Sequence, residues 1–429
     1  MKKAIVVGSG AGGAAAAREL QGAFDVTILE AGKEFSPFSR DLSRLERFRK
    51  IGLFFEERMI GLLFPAMKIR KTGDRTVLVN GVGTGGTTTL STGNGLRMDG
   101  DLKKIGIDLD GEFEELSREI VLTTAHQTRW SDTTQKLFKR FIELGTDPVA
   151  TPKMGEYERC TGCGRCILGC RNRVKWDSRR FIEDALEEGA RLMTGCTVKK
   201  VSVADGRARG VYVKHGMGLR YMPADLVVLA AGGLSTPLIL QNSGCRCEDR
   251  LFVDPVLCVA AEMRGCAQNR EVPMPFVVQK EGYIVSPYFD YLSFFFNNEW
   301  RYPAEDIYSI MIKLADSNSG SVHGRRIKKE LSSRDRTRLD DAVEFCTGLF
   351  EHMGVRRQDT FLGTINAGHP GGMLPLTEKE ADSLHHSTLP DNLYVADATL
   401  FPRSLGNPPI LTVMALAKKV SRSCIRKIA

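Results

Sequence analysis

KAIVVGSGAGGAAAARELQ, residues 3–21, starts as an apolar run, passes through four glycines and ends in small helix-forming residues. Lys3–Val7 reads as a strand and AAAARELQ as a helix. Between them Gly8, Gly10 and Gly13 fall in the spacing G-x-G-x-x-G. The first glycine permits a tight turn, the second lets backbone approach a pyrophosphate, and the third allows close helix–strand packing. The helix N-terminus then faces the phosphates with its partial positive charge. A second strand, VTILE, ends in Glu30, 22 residues after Gly8. A carboxylate there is expected to accept hydrogen bonds from the adenosine ribose hydroxyls. The lysines before this apolar stretch imitate a secretion signal, but the glycines interrupt it and a strand with a Gly-rich turn explains it better.

The remainder of the chain contains no second unit of strand, G-x-G-x-x-G and helix. One resident dinucleotide, FAD, is therefore expected, and its electrons need another exit. With 429 residues, 42% hydrophobic and 26% charged, the composition is that of a globular protein of two or three domains. No apolar run approaches the ~20 residues of a membrane span. The net charge of +8 is scattered, which argues against nucleic acid and suits an acidic redox protein or anionic lipid headgroups. Eleven cysteines, an odd number with four bunched together, point to a reducing cytoplasmic setting and to metal rather than disulfides.

The bunch is CTGCGRCILGC, residues 160–170. Cys160, Cys163, Cys166 and Cys170 have the C-x2-C-x2-C-x3-C spacing of an iron–sulfur ligand run. Gly162, Gly164 and Gly169 would let the backbone wrap a cluster. The paired spacing typical of zinc is missing. A [4Fe–4S] cluster is the leading expectation, with a three-iron cluster, zinc or plain reduced cysteines as alternatives. Two-cluster ferredoxins place Pro after the fourth Cys; here Arg171 follows, so the fourth ligand is Cys170 or one of Cys196, Cys245, Cys247, Cys258 and Cys266.

Three further stretches are NGVGTGGTTTLSTGN (80–94), LVVLAAGGLSTPLILQNSG (226–244) and NLYVADATLFPRSLGNPPILTVMALAKKV (392–420). With the N-terminal glycine motif, and in this order, they resemble the glucose–methanol–choline (GMC) oxidoreductase family. Thr84-Gly85-Gly86-Thr87-Thr88 stands where that family has Leu-Gly-Gly-Ser-Ser, and Ser91 replaces its Asn or His. The resemblance implies an α/β fold: an FAD-binding Rossmann-like domain plus a smaller α+β substrate domain with a mixed antiparallel sheet. It assigns 1–110, 176–254 and 360–429 to the FAD domain, 111–175 to a helical, cysteine-rich insertion and 255–359 to the substrate domain. It implies FAD contacts at Gly8, Gly10, Gly13, Glu30, Gly85, Gly86, Thr87, Val198, Asp397 and Pro408, with Val198 on a strand pair formed by CTVKKV and GRARGVYV.

The resemblance also implies an active site. His369 in NAGHPGGM resembles the His-Pro-x-Gly-Gly of cholesterol-oxidase-like members, one residue shorter, and Asn407 in LGNPPILT resembles their Gly-x-Asn-Pro. Histidine can act as general base near neutrality, and asparagine can orient the substrate oxygen. The implied activity is oxidation of CH–OH groups with hydride passing to the flavin. With the cysteine run, it implies electrons leaving singly to a ferredoxin-like acceptor. A ferredoxin-linked reductase of C=C or C=O bonds and an electron-transfer subunit are the alternatives.

Elsewhere FVVQKEGYIVSPY, YLSFFFN and YSIMIKLAD read as strands, and SSRDRTRLDDAVEFCTGLFEHMG as an amphipathic helix. Phe294, Phe295 and Phe296 would line an apolar pocket or form plain core. His385 and His386 sit in a polar stretch and are expected to be exposed. Residues 44–71 combine apolar and basic residues: a helix packed on the FAD domain, or an entrance lip touching membrane or a lipid-like substrate.

Overall fold

The computed structural model describes residues 1–38, 46, 61 and 64–429. The opening motif forms β1 (Lys2–Val7), α1 (Ala11–Glu19) and β2 (Phe24–Leu29) as expected. Gly8 has φ +103°, and a Cβ on it would stand 2.3 Å from the Ala230 carbonyl oxygen. A Cβ on Gly13 would stand 1.9 Å from the Gly8 oxygen. The glycines thus hold helix and strands at a distance no side chain permits. Ala14–Ala17, all buried, continue that close packing along α1.

β1 lies inside a parallel sheet of order Leu393–Val395, Leu226–Leu229, β1, β2, Arg191–Met193. Both neighbours of β1 are parallel to it, so the strand order reverses there. In open α/β sheets ligands bind at the carboxyl ends of strands at such a point. The register aligns four of those ends: Val7 pairs with both Leu29 and Leu229, and Leu229 with Val395. The residues that follow (Gly8, Glu30, Ala230 and Ala396) therefore gather at one edge. The hairpin Cys196–Ala204 with Arg207–His215 carries Val198, as anticipated.

A second, mixed sheet runs Met67–Lys71, Val77–Gly81, Asn366–Ala367, Pro255–Glu262, Ile307–Leu314, Tyr283–Pro287, Phe276–Lys280, Pro148–Ala150. It thus draws strands from both sides of 255–359. Ser333–His352 is the expected amphipathic helix, and Ser332 and Asp335 form a capping box at its start. Ser332→Ala is expected to cost about 1 kcal/mol, read as a lowered urea midpoint.

Two expectations fail. YLSFFF is the helix Tyr291–Phe296, not a strand: the Asp290 carboxylate accepts the Leu292 N–H at 3.0 Å and nucleates the turn. His386 is buried rather than exposed, its Nδ1 2.8 Å from the Thr388 hydroxyl, and His385 is half-buried against the Pro390 carbonyl. Most of 44–71, and with it the entrance-lip reading, lies outside the described residues. Among the described residues no helix is long and apolar enough to cross a membrane.

Candidate active site and cysteine cavity

A cleft of about 710 Å³ opens along the aligned strand ends and continues between the two sheets. Gly8, Gly10, Glu30, Gly86, Thr87, Val198, Asp397 and Pro408 line it, whereas Gly13, on α1, does not. Nor does Gly85: it backs the cleft, its N–H 3.2 Å from the Ser9 hydroxyl and its carbonyl accepting from Thr88 and Ser178. A Cβ on Gly86 would come within 2.9 Å of Gly10 Cα, so the two glycine loops meet as bare backbone. Glu30 ties them together. It accepts from the Ser9 N–H and hydroxyl through Oε2, and from the Gly32 and Gly83 N–H groups through Oε1. Asp397 is buried and accepts from Gly232, Thr236 and Thr399; burial raises its pKa and these bonds oppose the rise. Ser235 and Thr236 give no N-cap to the helix Ser235–Asn242. Bare backbone at two facing loops and a helix N-terminus suit a dinucleotide's pyrophosphate.

His369 follows the strand Asn366–Ala367 and lines the same cleft, keeping 24% of its side-chain surface open. Its Nδ1 is buried and makes no hydrogen bond among the described residues. Burial, then Lys313, holds its pKa well below the ordinary 6.5, so the imidazole is neutral. Asn407 is placed differently. Its amide pairs with that of Gln279, Nε2 to Oδ1 at 2.8 Å, and it is not among the residues lining the cleft. The Gln279 side chain, on the strand Phe276–Lys280, thus takes the Asn407 amide.

Two residues that sequence reading missed stand beside His369. Lys313 lines the cleft, and its Nζ is 2.5 Å from Asp254 Oδ2; both side chains are 1% exposed. Their signal was present: Lys313 is the charged residue in the apolar strand IYSIMIKL, every position of which is buried. At the other end of the cleft stand Phe64, Met67, Ile69, Leu292, Phe295 and Phe296, while Phe294 turns into the core.

The four clustered cysteines line one further cavity, of about 220 Å³. Gly162, Gly164 and Gly169 have φ of +63°, +64° and +93°, conformations that favour glycine. Among the described residues no three His, Cys, Asp or Glu side chains are close enough to share a single metal ion. The four thiols line this space without meeting at a point. Two lysines are buried beside it, Lys153 and Lys175. Lys175 donates to the carbonyls of Thr88, Thr89 and Ser91 at 2.8–3.0 Å, and Lys153 to the Pro273 carbonyl and the Asn94 amide oxygen. Burial pulls Lys153 down to about 7, opposed by Cys166; burial pushes the Cys166 thiol up to about 12, opposed by Lys175. Only one layer of chain separates the two cavities: Ile167 and Leu168 line the cleft, Cys166 and Cys170 the smaller space.

Residues 113–257 match the family model described as GMC oxidoreductase. An uncharacterised protein of Methanocaldococcus jannaschii is 26% identical, over 98% of this chain and 99% of that protein. An uncharacterised GMC-type oxidoreductase of Mycobacterium tuberculosis is 31% identical over 61% of this chain and 42% of its own length. A long-chain-alcohol oxidase of Arabidopsis thaliana is 24% identical over 97% of this chain and 66% of its own length. The solved structure of pyridoxine 4-oxidase from Mesorbium loti superposes with a TM-score of 0.71 at 16% identity, covering 98% of this chain and 99% of that one; the likeness is one of fold.

Proposed function

We propose, from the premise that this chain belongs to the GMC oxidoreductase family, that it is an FAD-dependent dehydrogenase of CH–OH groups with an iron–sulfur electron exit. The carrying observation is a partly open histidine in the same cleft as the glycine loops. Gly8, Gly10, Gly86 and Thr87 would hold the dinucleotide at the strand ends, with Glu30 fixing their loops and Val198, Asp397 and Pro408 lining the site. Bound FAD supplies the hydride acceptor. His369 receives the hydroxyl proton. The phenylalanine and methionine end of the cleft excludes water and favours an apolar, lipid-like alcohol.

The second part of the reading concerns Cys160, Cys163, Cys166 and Cys170. The buried amino groups of Lys153 and Lys175 bond to carbonyl and amide oxygens and make no ion pair among the described residues, with Asp177 the carboxylate that acts on Lys175. An anionic cluster held by four thiolates would supply the counter-charge that a buried cation needs. Cys163 is exposed, which suits transfer to a docked ferredoxin-like protein. Eleven free thiols fit a reducing, cytoplasmic setting.

The test is anaerobic purification followed by absorption and EPR spectra, then flavin bleaching by a panel of alcohols, sterols, polyprenols and sugars. FAD with a cluster signal, and bleaching by an apolar alcohol, is the expected result. A Cys163→Ser variant should lose cluster absorbance and iron while keeping FAD. Iron unchanged from wild type would sink the cluster.

A further inference from the structure

We propose that Asp254 is the positioning residue of the cleft's base, facing Nδ1 of His369 so that Nε2 is left to take the substrate's hydroxyl proton. This rests on the reading of His369 as that base. The register creates the arrangement. Pro255 pairs with Ala367, and Val256 pairs with both Asn366 and Lys313. Asp254 just before this strand, His369 just after the neighbouring one and Lys313 on the next therefore meet at one end of the sheet.

Asp254 is held there against its own preference. Its φ is +54°, unusual for a non-glycine residue and more so before a proline. The Asp316 carboxylate stabilises the turn by accepting the N–H groups of Val253 and Asp254 at 2.9–3.2 Å, and Asp316 is itself paired with Lys329 at 2.7 Å. Strain over-determined by its surroundings is characteristic of functional sites. The Asp254 carboxylate then has two duties. Oδ1 accepts the Ser404 hydroxyl. Oδ2 takes Lys313 Nζ and lies 3.9 Å from His369 Nδ1, an atom with no hydrogen-bond partner among the described residues. Catalytic hydrogen bonds are commonly long without ligand and tighten in the complex.

The chemistry follows from this placement. With Nδ1–H directed at the carboxylate, the lone pair of Nε2 faces the cleft. The substrate O–H bond breaks, its electron pair stays on oxygen, and the proton forms the new Nε2–H bond. The resulting imidazolium is stabilised by Asp254, as in other carboxylate–histidine pairs. Lys313 shares the same carboxylate oxygen and, by its charge, disfavours the imidazolium. The charged groups around His369 are thus Asp254 and Lys313, with Asp316 and Lys329 behind them.

The experiment compares FAD-loaded wild type, Asp254→Asn, Lys313→Met and the double variant. The ¹⁵N spectrum of histidine-labelled protein gives the tautomer, with the His369 signals assigned by difference against His369→Gln. Wild type should be the Nδ1–H tautomer, and Asp254→Asn should lose it. Turnover of Asp254→Asn, with whichever panel alcohol bleaches wild type fastest, should fall on the order of 10²–10⁴-fold. Its acid limb of kcat/KM should move to lower pH, because the imidazolium loses its anion. Lys313→Met should move that limb to higher pH, because the anion remains and the cation is gone. The double variant removes both buried charges together and keeps the test open if Asp254→Asn alone does not fold. Wild-type tautomer and pH profile in the double variant would overturn the proposal while leaving His369 as base. Undiminished turnover in His369→Ala would instead remove the reading on which it rests.

Discussion

A His369→Ala variant is expected to retain FAD and lose about 10²–10⁴-fold in alcohol-driven flavin bleaching, the usual contribution of a positioned base. The side chain lines the cleft and its backbone follows the strand Asn366–Ala367, so removing the ring leaves the dinucleotide loops untouched. The pH dependence carries a sign as well. Burial and Lys313 lower the His369 pKa, so the neutral, proton-accepting form persists below pH 6.5. The acid limb of wild-type kcat/KM should therefore fall below pH 6.5, not at it. Stopped-flow bleaching across pH measures both effects. Full turnover in the variant would favour a chain that only relays electrons through its flavin.

Gly13→Ala should abolish FAD retention. The added methyl would stand 1.9 Å from the Gly8 oxygen, a backbone atom that no rotamer change can move. Either α1 shifts away from β1, spreading the loop that should meet the pyrophosphate, or Gly8 itself moves. Overpacking costs about 1–3 kcal/mol even in softer surroundings, and here it falls on the loop that lines the cleft. Gly111→Ala is the control: its Cβ meets nothing within 4 Å and it lies in the helix Asp110–Glu119, where alanine is the better helix former. Flavin-to-protein absorbance after gel filtration should be near zero for the first variant and that of wild type for the second. Wild-type flavin content in Gly13→Ala would contradict the tight-packing argument.

Legibility followed the range of each interaction. Gly8, Gly10, Gly13 and Glu30 could be read because a strand, a turn and a helix start within thirty residues encode their own geometry. The same holds for IYSIMIKL as a strand and for the helix after Ser332, whose cap is three residues long. YLSFFF misled because four aromatics suit a strand, while one carboxylate, Asp290, decides for a helix by capping it. His386 misled because its polar neighbours in sequence suggest solvent, whereas the fold buries it with Nδ1 on the Thr388 hydroxyl. Asn407 carried a motif, yet Gln279, 128 residues earlier in the chain, holds its amide.

By itself the sequence determined the nucleotide edge and the cysteine spacing, since each is a local pattern of turns and ligand types. Only the tertiary structure decided what surrounds His369. Asp254, Lys313 and His369 are separated by tens of residues and meet through strand register, in which a shift of one position turns every side chain to the other face. The same reason applies to Lys175: nothing near it in sequence announces that its ammonium spans to residues 88–91, between the cleft and the cysteine cavity.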